Sequence, residues 1–135
     1  MTDIRQLMRL CEREEISVET NELNYCESFS FMLDGSCFIV LDAKLPERLV
    51  KEHAAHEAGH CIMGAFYNRS AALDLISQHE YRADKWAIET LVPREELEEQ
   101  ISRNNLDSLY LLSEHFAVSE DFIKKACIHY GLYIE

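Results

Sequence analysis

The chain has 135 residues, enough to bury a core, and reads as one domain over 1–135. Its 25 acidic and 13 basic residues give a formal charge of −12, which repels phosphate backbones and disfavours direct nucleic-acid binding. The same surface favours a basic partner, or serves only to keep the chain in solution.

The amphipathic start MTDIRQLMRLCEREE is too charged for a signal peptide. No apolar run approaches the roughly 20 residues that span a bilayer. The expectation is a cytoplasmic protein with no membrane contact. The five cysteines (Cys11, Cys26, Cys37, Cys61, Cys127) are odd in number and include no C-x-x-C. Most lie in apolar runs and read as buried free thiols of a reducing compartment.

Residues 3–14 read as a helix with Ile4, Leu7, Met8 and Cys11 on one side. Strands over 29–33 and 36–41 flank Asp34-Gly35, a two-residue hairpin signal. In the second strand SCFIVL is almost wholly apolar, which predicts cover on both faces. Pro46 suits the first turn of a long helix running to about Tyr67. Residues 68–78 carry no strong pattern and read as a loop or a short helical turn near the site. A helix follows from Glu80 to about Leu91, ended by Pro93.

REELEEQISRN and LDSLYLLSEHF predict two further short helices. Ser119 is an N-cap for EDFIKKACIHYG, in which Phe122, Ile123, Ala126 and Tyr130 recur at helical spacing before Gly131. Residues 101–135 are thus expected as a helical extension packed on the core. Within them the run LLSEHFAVSEDFIKKACIHYG faintly resembles half of a helix-turn-helix. Its only basic side chains are Lys124 and Lys125, with His115 and His129 as weak additions, so DNA reading is disfavoured.

The chemistry concentrates in the long central helix. His56-Glu-Ala-Gly-His60 is an H-E-x-x-H run. At about 3.6 residues per turn its two imidazoles share a helical face, a spacing that suits two ligands of one Zn²⁺. Glu57 points aside from them but can reach a metal-bound water and take its proton. Leu49, His53, His56, His60 and Met63 form a stripe that an amphipathic helix would bury. Gly59, costly inside a helix, with Ala54, Ala55 and Ala58 beside it, predicts close approach by a neighbour. Cys61 lies about 100° round from His60, a placement for packing rather than ligation.

Glu80 comes twenty positions after His60 and shares a stripe with Asp84, Ala87, Ile88 and Leu91. Acids beside an apolar face are seldom buried unless paired or metal-bound. Glu80 as third ligand, and Asp84 as acceptor for a ligand histidine's N–H, would account for both. The competing readings are histidines four apart by chance and a solvated first helical turn. Tyr25, His53, His79 and Tyr81 are candidates for contacting the substrate or its oxyanion.

These motifs are similar to the gluzincin arrangement of thermolysin-like metallopeptidases. The runs LVKEHAAHEAGHCIMGAF and HEYRADKWAIETLVP resemble, more narrowly, the ImmA/IrrE-type metallopeptidases of bacteria and phages. There the third-ligand helix reads E-x-x-A-(N/D)-x-x-A, matched here by Glu80, Ala83, Asp84 and Ala87, with Leu91 and Pro93 after them. The likeness extends roughly over residues 16–130. It implies a minimal zincin-like α+β domain: a small antiparallel or mixed sheet, metal-binding helices and C-terminal helices. It also implies one Zn²⁺ per chain, a substrate peptide adding to the hairpin of residues 29–41, and a protein substrate such as a DNA-binding helix-turn-helix repressor of a phage or mobile element. The alternatives are a non-proteolytic binding module of the same fold that regulates a partner repressor or toxin–antitoxin component, and, disfavoured by charge, a transcription factor.

Overall fold

The structure, a computed structural model, describes residues 2–66, 72–103 and 108–132. Helix α1 (Ile4–Arg13) starts at a capping box in which Asp3 and Gln6 bond each other's backbone N–H. Leu7 and Cys11 are buried beneath it. Three strands follow: β1 (Ile16–Asn21), β2 (Ser28–Leu33) and β3 (Ser36–Asp42). They form one mixed sheet in the order β1-β3-β2, with β1 parallel and β2 antiparallel to β3.

The predicted hairpin is present. Asp34 and Gly35 both take positive φ (51° and 80°), as a two-residue turn with right-handed twist requires. β1 is a strand that local pattern did not announce, because its pairing with β3 is long-range. β3 is covered less evenly than its composition suggests. Cys37, Ile39 and Leu41 are buried, whereas Phe38 and Val40 are only half-buried.

Helix α2 (Glu47–Met63) lies against β2 and β3 and packs most extensively on α3 (Leu73–Leu91). Pro46 occupies the N-cap of α2, one position before the expected first turn. Gly64, in the left-handed region at φ 62°, ends it short of Tyr67, which lies outside the described residues. Residues 68–71 are also outside. Residues 73–78, expected as a loop or at most a short helical turn, are the opening turns of the longer helix α3. Nothing in LDLISQ breaks a helix, and these turns are largely exposed, so no apolar period marks them.

The buried face of α2 also differs from the expected stripe. It consists of Ala54, Ala55, Ala58 and Gly59, together with Lys51, Glu52, Glu57 and His60. Met63 is exposed, and Leu49, His53 and His56 are half-buried. The cause is that α2 runs between the sheet and α3, so its small residues make the contacts and most of the histidine row borders open clefts.

Helices α4 (Arg94–Ser102), α5 (Leu109–Phe116) and α6 (Glu120–Tyr130) complete the fold. Ser119 caps α6 by accepting from the Phe122 N–H, and Gly131 ends it at φ 69°. Leu97, Leu112, Phe116, Phe122 and Ile123 join Leu7, Ile39 and Leu91 in one apolar cluster. Polar contacts fasten α2 to the α5–α6 turn. Lys51 Nζ donates to the Phe116 carbonyl at 2.7 Å, and Ser119 Oγ donates to Glu52 at 2.6 Å. Burial pushes the Lys51 ammonium pKa down and the Glu52 carboxyl pKa up.

The expectation of five free thiols is corrected. Cys37 of β3 and Cys61 of α2 are disulfide-bonded, with Cα atoms 6.0 Å apart. Their juxtaposition follows from the sheet packing on α2, which spacing in the sequence does not reveal. Cys11 and Cys127 are buried and free, and Cys26 is exposed. No helix among the described residues is long and apolar enough to cross a membrane.

Candidate metal centre

The crossing of α2 and α3 is set by glycine. A Cβ on Gly59 would lie 2.7 Å from the Ala83 carbonyl oxygen and 3.0 Å from the Ala83 Cα. Only a residue without a side chain lets the two backbones meet there. Gly59 lies between His56 and His60, and Ala83 between Glu80 and Asp84, so the close approach brings both polar rows face to face.

One ligand atom from each of His56, His60 and Glu80 lies within 4.8 Å of the others. The two Nε2 atoms are 3.2 Å apart. Glu80 Oε2 is 2.9 Å from His56 Nε2, and Glu80 Oε1 is 3.3 Å from His60 Nε2. The far nitrogens are already used. His56 Nδ1–H donates to Asp84 Oδ1 at 2.8 Å, and His60 Nδ1–H donates to the Ala65 carbonyl. With Nδ1 of each ring facing an acceptor, an imidazole in its neutral form turns its Nε2 lone pair towards the other ring and towards a carboxylate. Such a cluster repels itself unless a proton or a cation sits among it. Two imidazole nitrogens and a carboxylate oxygen are a donor set that Zn²⁺ accepts, so the residues fit a divalent metal.

Electrostatics agree with that geometry. Burial opposes the charge on His56, but the Asp84 hydrogen bond and the carboxylates of Asp84, Glu57 and Glu80 outweigh it. The His56 pKa therefore lies above its ordinary value. Burial likewise opposes the Asp84 carboxylate, yet its bond to His56 holds its pKa below the usual range.

Glu57, only 6% exposed, is reached from the sheet. Ser28 Oγ donates to Glu57 Oε2 at 2.8 Å, and Ser30 Oγ donates to Oε1 at 2.6 Å. Sequence reasoning missed both serines. The signal was there in Ser28-Phe-Ser-Phe31, whose alternation puts both hydroxyls on one face of a strand.

Two clefts flank the triad. One, of about 340 Å³, is lined by Ser28, Phe29, Ser30, Ala65 and Phe66 with His56, Glu57, His60 and Glu80. The other, of about 330 Å³, passes His53, His56, Glu80 and Asp84 towards Glu52, Ser119 and Lys125. His53 is thus brought beside the site, its Nδ1 3.0 Å from Ser28 Oγ. Tyr25, Tyr81 and His79 line neither cleft. Tyr25 is fully exposed, Tyr81 lies beside His129 on another surface, and His79 is half-buried on α3.

Crossed helices that present two imidazoles and a carboxylate, with a further buried carboxylate at their side, define a small α+β domain built round a candidate divalent-metal site. The peptidase family model Peptidase_M78, described as the IrrE N-terminal-like domain, matches residues 12–127, from the last turn of α1 into α6. The chain belongs to this family, which supports a metallopeptidase-type function acting on protein. No individually curated protein matches the chain.

Proposed function

We propose that the protein is a zinc-dependent endopeptidase and that its substrate is a regulatory protein, a helix-turn-helix repressor of a phage or mobile element. The observation that carries the reading is the pair of Nε2 atoms 3.2 Å apart with Glu80 against both, each ring fixed from behind by an acceptor. His56 Nε2, His60 Nε2 and the Glu80 carboxylate would hold one Zn²⁺, with Asp84 keeping His56 in the ligating tautomer. Zinc bound there supplies a water with a pKa lowered to about 7 and polarises the scissile carbonyl.

The remaining work falls to the chain's own groups. Glu57 takes the proton of the attacking water and returns it to the departing amine nitrogen, general acid–base work for a carboxylate facing the cleft. β2 is an edge strand beside Glu57, so a substrate segment can add to it through backbone hydrogen bonds. The small clefts leave recognition to docking of the intact partner, for which the −12 charge favours a basic protein.

The test is to incubate the zinc-loaded protein with a helix-turn-helix repressor chosen as candidate substrate, using Glu57→Gln as the comparison. Cleavage by the natural chain and none by the variant, with zinc retained in both, is expected. Equal cleavage by both would remove Glu57 from its role. A repressor left whole but bound would favour the non-proteolytic module.

A further inference from the structure

We propose that Ser28 and Ser30 are positioning residues that aim the Glu57 carboxylate at the metal-side cleft; this rests on Glu57 acting as the proton acceptor. Glu57 lies within α2, where the helix's own hydrogen bonds use the backbone N–H groups, so its buried oxygens need donors from elsewhere. β2 provides them. Ser28 and Ser30 pair with Leu41 and Ile39 of β3, both buried, so their side chains lie on the sheet face that packs on α2. Each hydroxyl takes a different carboxylate oxygen, at 2.8 and 2.6 Å, and two donors on two oxygens fix the plane of the group as well as its position.

A carboxylate offers about four acceptor positions, so two occupied from the sheet side leave others for a proton presented in the cleft. Glu57, Ser28 and Ser30 all line that cleft beside His56, His60 and Glu80. The Ser28 hydroxyl is itself confined. His53 Nδ1 lies 3.0 Å from it, and His53 Nε2 is 2.7 Å from Glu27 Oε2. The aim of the base is therefore set by the strand on which a substrate segment would add, so strand addition and proton transfer share one element.

Acetohydroxamic acid tests this without a known substrate. It chelates a metal through two oxygens as its N–O–H proton passes to a neighbouring base. Its affinity is measured on the zinc-loaded natural chain, Glu57→Gln, the Ser28→Ala/Ser30→Ala double variant and the Ser28→Thr/Ser30→Thr double variant. Zinc content and the melting temperature are recorded for each. The alanine pair should stay folded and keep one zinc, with a melting temperature lowered by the loss of two donors to a buried carboxylate, and should bind at least about tenfold more weakly, the scale of a lost hydrogen bond to a charged group. The threonine pair, which keeps both hydroxyls and suits a strand, should recover most of that loss.

An alanine pair that binds like the natural chain would overturn the proposal, as would a threonine pair as weak as the alanine pair. Unchanged binding by Glu57→Gln would instead show that Glu57 is not the acceptor, which is the separate failure of the reading above.

Discussion

Replacing Gly59 by alanine perturbs the candidate metal site without touching His56, His60 or Glu80. Intrinsic propensity favours alanine in a helix by about 1 kcal/mol, so on local grounds the change should stabilise α2. The added Cβ, however, would meet the Ala83 oxygen at 2.7 Å, its Cα at 3.0 Å and its carbonyl carbon at 3.2 Å. All three are backbone atoms, which no rotamer change can move aside. α2 and α3 must separate by several tenths of an ångström.

Overpacking of this kind costs roughly 1–3 kcal/mol, and a backbone neighbour puts the cost near the upper end. Against the propensity gain, the metal-free protein should lose about 1–2 kcal/mol in urea unfolding with a chelator present. The same separation carries Glu80 away from His56 and His60. Metal–ligand distances tolerate only about ±0.2 Å, so zinc affinity, read by competition with a chelating dye, should fall about tenfold or more. A Gly59→Ala protein that is more stable than the natural chain and binds zinc equally well would refute the reasoning.

The remaining predictions concern His56 and Asp84. Asp84→Ala should weaken zinc about 10- to 100-fold, the usual cost of losing a ligand's supporting acceptor. In the metal-free protein it should also lower the His56 pKa, followed by NMR titration, because Asp84 is a principal group holding it up; an unmoved titration would contradict the pairing. A raised His56 pKa stabilises the metal-free fold below the ordinary imidazole value of 6.5, and that contribution is lost as pH rises through the folded pKa. Asp84, held low, stabilises above its ordinary value of 3.8 and loses that contribution as pH falls through its folded pKa. Urea unfolding should therefore show the pair's greatest benefit between the two ranges, whereas a profile flat across them would count against it. Zinc competes with the proton on His56, so calorimetry below the ordinary imidazole value of 6.5, in buffers of different ionisation enthalpy, should detect proton release; none would argue against His56 as a ligand.

The grouping of His56, His60 and Glu80 as a candidate ligand set was legible because the chemistry constrains residue type and spacing together. His56 and His60 are one turn apart on one helix, and Glu80 and Asp84 one turn apart on another, so each pair is a local pattern. Gly59 was legible for the same reason, as a costly residue where only contact explains it. What failed to show was what depends on partners distant in sequence. β1 owes its extended form to β3, and the Cys37–Cys61 bond to β3 lying over α2. The Ser28–Glu57 contact spans 29 positions and Ser30–Glu57 spans 27, and only the alternation in β2 hinted at a shared face. The histidine row misled about burial because α2 has neighbours on several sides and its alanines, not its larger residues, meet them.

The most direct test is metal analysis of the purified protein with His60→Ala beside it. One zinc per natural chain, resistant to dialysis and absent from the folded variant, is the result expected of a site built from His56, His60 and Glu80. A natural chain that binds no divalent metal when zinc is supplied, or a His60→Ala protein that holds zinc as tightly as the natural chain, would contradict it.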